Sequence, residues 1–182
     1  MFQEFTVELP RINTKEFNIE DFGGVSGGQK SNTAAFAAAI AEAAKDGGKV
    51  IVPDGIWLTG PIELKSGVEL HLEDNAIILF DKSKEEYPLT TIDYEGGKRI
   101  RATSPIYADN AEDIAITGKG TIDGNGHLWR PVKSFKMTDK QWKELLEKSQ
   151  YLIPNGKEGQ IWVPTKSIFD GHARGEILPD HE

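Results

Sequence analysis

Five short apolar runs follow one another at residues 50–52, 56–58, 62–64, 68–72 and 77–80, and their tight pitch constrains this chain more than any other feature. They begin at positions 50, 56, 62, 68 and 77, so the spacings are six, six, six and nine. Hairpins at that pitch would be very tight, and almost no link carries the Asn-Gly or Asp-Gly signal that a hairpin favours. A coil fits better. If each short strand turns a corner into the next and three strands make one rung, the chain stacks on itself as a parallel β-helix.

Residues 31–46 precede those runs and read as a helix. Ser31 or Asn32 can cap it, and Ala35, Phe36, Ala39, Ile40 and Ala43 recur at helical spacing before Gly47 and Gly48 stop it. A solenoid has a first rung whose unpaired backbone and open apolar core would recruit other chains. An Ala-rich amphipathic helix placed there can cover that end.

The order of this helix, the run GGKVIVPDGIWLTGPIELKSGVELHLEDNAIILF and the later ITGKGTIDGNGHLW resembles the N-terminal part of the glycoside hydrolases that cut polygalacturonic acid. The resemblance covers roughly residues 17–129. It implies an all-β fold: a right-handed single-stranded parallel β-helix with an N-terminal capping α-helix, here expected to be truncated at its C-terminal end. Pectate lyases and phage tailspikes share that fold.

The expected organisation is an N-terminal strand and capping loop over residues 1–30, the capping helix over 31–46, and rungs over 47–130. A loop excursion interrupts the rungs at 81–105, and 131–182 reads as a helical insertion or tail. Residues 2–9 alternate loosely as an edge strand, and a second short run spans 16–19. Asp21, Phe22 and Gly23 match the resembling family, whereas Gly27, Gly28, Gln29 and Lys30 replace its acidic loop, a departure that touches capping and not chemistry. The glycine spacing fits neither a phosphate loop nor a dinucleotide fingerprint. The excursion at 81–105 is polar, with Pro88 and the Gly96-Gly97 pair, and too long for a rung corner. Rungs resume at 106–108, 114–117 and 121–122, with Asn110 suited to a left-handed corner. Thr138 reads as the N-cap of a helix over 139–149 with Trp142, Leu145 and Leu146 on one face; beyond it no periodicity is sustained.

The net charge of −8 argues against nucleic acid as a partner, because phosphate binding needs a basic footprint. No window approaches the apolar length of a membrane helix, and residues 1–9 lack a signal-peptide pattern. The expected location is cytoplasmic if Met1 is the native start, and otherwise secreted or periplasmic. The absence of cysteine excludes disulfides and thiol nucleophiles.

Inverting glycoside hydrolysis needs an acid and a base on opposite faces of the sugar. In the resembling hydrolases that machinery is carried by Asn-Thr-Asp, Asp-Asp, Gly-His-Gly and Arg-Ile-Lys, and none of the four occurs here. No catalytic residue is therefore assigned. Glu112-Asp113, Glu73-Asp74 and Glu85-Glu86 are adjacent acids in corners or loops, and neighbours on a strand point to opposite faces. Gly171-His172-Ala173-Arg174 echoes Gly-His-Gly without partner aspartates. Glu69, His71 and Glu73 alternate with the apolar residues of one strand, which turns them outward as a metal row or, more simply, a charge-compensated ladder. Asp123-Gly124-Asn125-Gly126 lacks the later acidic ligands of a calcium loop. No metal and no cofactor is expected.

The candidates for substrate contact are Lys98, Arg99 and Arg101, the densest basic cluster, and His127, Trp129 and Arg130 after the Gly-Thr-Ile-Asp-Gly-Asn-Gly turn. Trp offers a flat face to a sugar ring, and Arg a fork to a uronate carboxylate. Each cluster also has a structural reading, the first as a solvated loop, which is the simpler one there, and the second as packing under residues 133–182. The resemblance implies the N-terminal portion of a hydrolase acting on an acidic plant polysaccharide or oligogalacturonide. The alternatives are a polysaccharide lyase of the same fold and a non-catalytic polysaccharide-binding β-helix module. Oligomeric state is not encoded.

Overall fold

The computed structural model describes residues 8–94, 96–147 and 151–174. Most of the N-terminal edge strand expected over residues 2–9 lies outside them; Glu8 and Leu9 are not in a strand. In chain order the elements are β1 (Glu16–Asn18), α1 (Thr33–Ala43), β2 (Gly48–Val52), β3 (Gly55–Thr59), β4 (Ile62–Glu63), β5 (Val68–Leu72), β6 (Ala76–Phe80), β7 (Leu89–Tyr94), β8 (Gly97–Ala102), β9 (Ile106–Tyr107), β10 (Ala115–Gly118), β11 (Thr121–Asp123), β12 (Val132–Lys133), α2 (Asp139–Leu146), β13 (Leu152–Pro154), β14 (Gln160–Trp162) and α3 (Lys166–Arg174). They form two compact units, Met1–Asp81 with Ser104–Gly124, and Lys82–Thr103 with Asn125–Glu182.

The first unit is a right-handed parallel β-helix. Its strands line up as β1-β2-β5-β10, β3-β6-β11 and β4-β9, every pairing parallel. Each position therefore stacks on its equivalent about 4.8 Å away. Phe17, Val50, Leu70 and Ile116 share one inward column; Trp57, Ile78 and Ile122 share another; Ile62 pairs with Ile106. The alternation of buried and half-buried residues along β2, β5 and β6 is what this stacking requires, because a one-residue slip would turn the whole apolar set outward. Val50, Leu70, Trp57 and Ile78 are fully buried, whereas Ile116 and Ile122, in the outermost described coil, are 46% and 40% exposed.

The helix α1 buries Ala35, Phe36, Ala39, Ile40 and Ala43 and packs against β1, β2 and β4, the cap expected of it. Its N-cap differs from expectation. Asn32 holds the position but gives no side-chain cap. Its buried amide instead accepts from the Val25 N–H at 2.7 Å and donates toward the carbonyls of Val25, Lys30 and Leu58 at 3.0–3.1 Å. The glycine-rich loop is pinned by the N–H groups of Gly27 and Gly28, which donate to the Ile56 carbonyl at 2.8 and 2.9 Å. Loop, helix start and first coil thus share one polar junction.

Corners carry their own ladder. Asn75 donates to the Asp54 carboxylate from its amide at 2.8 Å and its backbone at 3.1 Å, which holds that carboxyl below the ordinary range. Lys119 reaches Asp74 at 3.1 Å. Asn110 adopts φ 48°, the left-handed corner expected of it, and Asp113 adopts φ 52°. Asp113 spends its carboxylate on the Arg11 N–H at 3.0 Å, and Glu112 donates its N–H to Ser66, so this acid pair builds a corner.

In the second unit, the excursion expected as a loop contains the antiparallel hairpin β7–β8. The region read as a helical insertion or tail also forms a three-stranded antiparallel sheet, β12-β14-β13, followed by α3. Strands of two or three residues are too short for alternation to register in sequence. Thr138 caps α2 with a full capping box to Gln141, and the last two residues of the expected helix, 148 and 149, lie outside the described residues. Both segments of this unit leave the coil after a strand of the same sheet, β6 and β11. Among the described residues no helix is long and apolar enough to cross a membrane.

Two substitutions test the coil. Phe36→Asp should remove on the order of 3–5 kcal/mol by burying an unpaired charge, seen as loss of the cooperative melt. Gly118 sits at φ +94°, and an added Cβ would lie 1.9 Å from the Leu72 carbonyl oxygen. Gly118→Ala should lower the thermal midpoint sharply, while Gly124→Ala, which meets nothing within 4 Å, should not.

Candidate functional site

Strand geometry redistributes the basic cluster. Antiparallel pairing puts Lys98 opposite Asp93, Arg99 opposite Ile92 and Arg101 opposite Thr90. Lys98 and Arg101, three residues apart, fall on opposite faces of the hairpin. The Lys98 ammonium pairs with Asp93 at 2.7 Å, both side chains being more than two-thirds exposed. Such a pair contributes roughly 0–1 kcal/mol. Strand alternation therefore divides the basic cluster between the two faces of the hairpin.

The turn after β11 organises the other three candidates. Asn125 at φ 49° swings the chain into a 3-10 turn over Gly126–Leu128, closed by the Trp129 N–H donating to the Gly126 carbonyl at 3.1 Å. His127 and Arg130 are exposed, and Trp129 is half-buried. The indole meets the ring of buried Tyr87 edge-on, with centroids 5.2 Å apart and planes at 80°. The Lys84 ammonium stands 5.9 Å from the indole centroid and donates to the Pro164 carbonyl at 2.8 Å. Trp129 thus joins the excursion and the tail within the second unit. Lys84 and Tyr87 were not anticipated from sequence; the available signal was one aromatic, Tyr87, in an otherwise polar stretch at 81–88.

In the first unit, the outer face of β2-β5-β10 carries an ordered polar ladder. The Thr117 hydroxyl donates to Glu69 at 2.5 Å and lies 2.6 Å from His71 Nδ1, with Lys49 3.5 Å from Glu69. Glu73 is not part of the row, because β5 ends at Leu72 and Glu73 begins the corner. Among the described residues no three His, Asp or Glu side chains are grouped to hold a metal. His172, in the Gly-His-Ala-Arg segment, is an exposed residue of α3.

On the outer face of β4-β9, Glu63 and Tyr107 are register partners. Burial pushes the Tyr107 phenol up, and the Glu63 carboxylate adds to the shift by opposing a phenolate. Every strand carboxylate paired in this unit faces a non-acidic neighbour: Lys49 lies between Glu16 and Glu69, Tyr107 beside Glu63, and Leu79 beside Asp123.

No family model matches the chain. It is 39% identical over 122 residues to a probable polygalacturonase of Vitis vinifera, an alignment covering 62% of this chain and 25% of that protein. An exopolygalacturonase structure from Thermotoga maritima superposes with a TM-score of 0.62 at 35% identity, covering 79% of this chain and 35% of the other. A family 28 exopolygalacturonase from Yersinia enterocolitica superposes with a TM-score of 0.59 at 28% identity, covering 87% and 26%. The chain is homologous to family 28 polygalacturonases and exopolygalacturonases and shares their fold. It spans about a quarter of the length of the curated relatives it matches.

The Tyr107 phenol should stay protonated above the ordinary tyrosine value of about 10. Its raised folded value means that the stability it contributes is complete below that pH and is lost as pH climbs through the folded value. Ultraviolet difference titration of Tyr107→Phe against the parent should show one tyrosine ionising late, and Glu63→Gln should bring it partly back.

Proposed function

We propose that this chain supplies the capped N-terminal coils of a glycoside hydrolase that cleaves polygalacturonate with inversion. The observation that carries the reading is the homology to polygalacturonases over 122 residues, together with the capped parallel coil. That homology favours hydrolysis over the lyase alternative.

The fold explains how such chemistry is assembled. Inversion needs two carboxyls roughly 6.5–9.5 Å apart with a water between one of them and the sugar. Neighbouring coils sit about 4.8 Å apart, so acids on adjacent coils reach that range once they are offset along the strands. A column must then hold acids on neighbouring coils, and the pairings described above hold none. The four motifs that carry the reaction in the resembling hydrolases are likewise not in this sequence. We assign these coils the task of capping and starting the solenoid, with residues 131–182 as a helical insertion or tail. Lys98, Arg99, Arg101, His127, Trp129 and Arg130 remain the residues assigned to contact with oligogalacturonate.

The test has two arms. Incubated with polygalacturonate, the chain should release no reducing sugar; release that survives purification and scales with protein would place the catalytic acids in this sequence after all. Titrated with oligogalacturonate, it should bind weakly, with NMR shifts at residues 98–101 and 127–130 that fade as salt screens the charges. Shifts that avoid both segments, or equal binding of neutral and acidic sugars, would leave a purely structural β-helix module.

A further inference from the structure

The hairpin β7–β8 is a sheet of two strands, with no third strand joined to it among the described residues. A two-stranded hairpin is marginally stable at best in water, and an open strand edge invites another strand. Leu89, Ile92 and Ile100 on this hairpin are exposed. The Thr103 N–H donates to the Pro88 carbonyl at 2.9 Å, which makes that pair a hydrogen-bonded one. Because bonded and non-bonded pairs alternate along an antiparallel ladder, Thr90 and Ile92 turn their backbone groups toward β8. Leu89, Thr91 and Asp93 turn theirs outward, and all three residues are exposed. The two edges of the hairpin are not alike. Strand β8 carries Lys98, Arg99 and Arg101, charges of the kind that guard an edge. Over residues 89–93, β7 is rich in Thr and Ile, and its one charge, Asp93, is paired with Lys98 inside the hairpin.

We propose that the β7 edge is a self-association surface, on which a second copy of this chain docks by antiparallel β7-to-β7 pairing about a two-fold axis at Thr91. In that register Thr91 meets its own equivalent and Leu89 meets Asp93 of the second copy, so the outward backbone groups of residues 89, 91 and 93 all find partners. The side chains agree with it. Thr91 faces Thr91, Thr90 faces Ile92 of the second copy, and no like charges are set opposite each other. The same operation at the β8 edge centres on Ile100 and sets Arg99 opposite Arg101 of the second copy, a like-charge pair that destabilises the contact. Charge therefore selects one edge of the hairpin. Joined through it, two hairpins become one four-stranded sheet, which meets the strand number that a lone hairpin lacks. Such an isologous contact closes at two copies. It is independent of the sugar chemistry proposed above.

The experiment follows the oligomeric state of the full chain by sedimentation velocity across a concentration series. The wild type should show a reversible equilibrium between monomer and dimer. Thr91→Lys sets two ammonium groups opposite each other at the axis and should raise the dimer dissociation constant about fivefold. The chain has no cysteine, so single introduced cysteines report the geometry without interference. Hydrogen-bonded partners in an antiparallel pair have Cα atoms about 5.5 Å apart, within disulfide reach. Thr91→Cys, oxidised with diamide, should therefore give a covalent dimer. Ile100→Cys lies on the same face, but three strand spacings of about 4.8 Å separate it from its equivalent, and it should not. A wild type that stays monomeric up to about 1 mM overturns the proposal. So does a dimer that Thr91→Lys leaves intact, or one that Thr91→Cys does not capture. The polygalacturonate reading stands in each of those cases, because its own test reads sugar binding and not self-association.

Discussion

Everything in the first unit depends on parallel strands stacked in register. Because each residue sits over its equivalent in the next coil, one unsuitable side chain disturbs a whole column and not a single contact. Phe17, Val50, Leu70 and Ile116 in one column and Trp57, Ile78 and Ile122 in another give the core its continuity. The same repetition leaves the first strand with an unpaired edge, which the apolar face of α1 covers. Helix and coil are therefore two parts of one solution: neither can bury its apolar surface without the other.

Between these parts lies a polar junction that hydrophobic patterning does not reveal. Asn32 is buried, and its amide ties the carbonyls of Val25, Lys30 and Leu58 into one network. A buried amide costs stability unless its bonding capacity is met, and here backbone groups from three segments meet it. Corners follow the same rule at the surface. Asp54 with Asn75, Asp74 with Lys119, and Asp113 with the Arg11 backbone all use acidic side chains to close turns between coils. These acids are engaged in architecture, which agrees with the lack of paired outward carboxylates on the strands.

The second unit is held by different means. Its antiparallel hairpin and its small three-stranded sheet are short, and contacts such as Tyr87 with Trp129 and Lys84 with Pro164 join segments far apart in the chain. Loop-borne residues on a rigid scaffold are where recognition tends to sit.

The sequence by itself determined the coil. Strand pitch, alternation within β2, β5 and β6, the Ala-rich helix and the left-handed corner at Asn110 are local patterns, and local patterns are legible because each follows from backbone geometry over a few residues. The N-cap at Thr138 was legible for the same reason. Tertiary structure alone decided that Asn32 bridges three segments in place of capping its helix, and that β12, β13 and β14 pair at all. It also decided that Lys98 turns away from Arg101 while Lys84 comes to Trp129, forty-five residues away in the chain. In each of those cases the partner is distant in sequence, and a side chain's role is set by what folding brings to it and not by its neighbours along the chain.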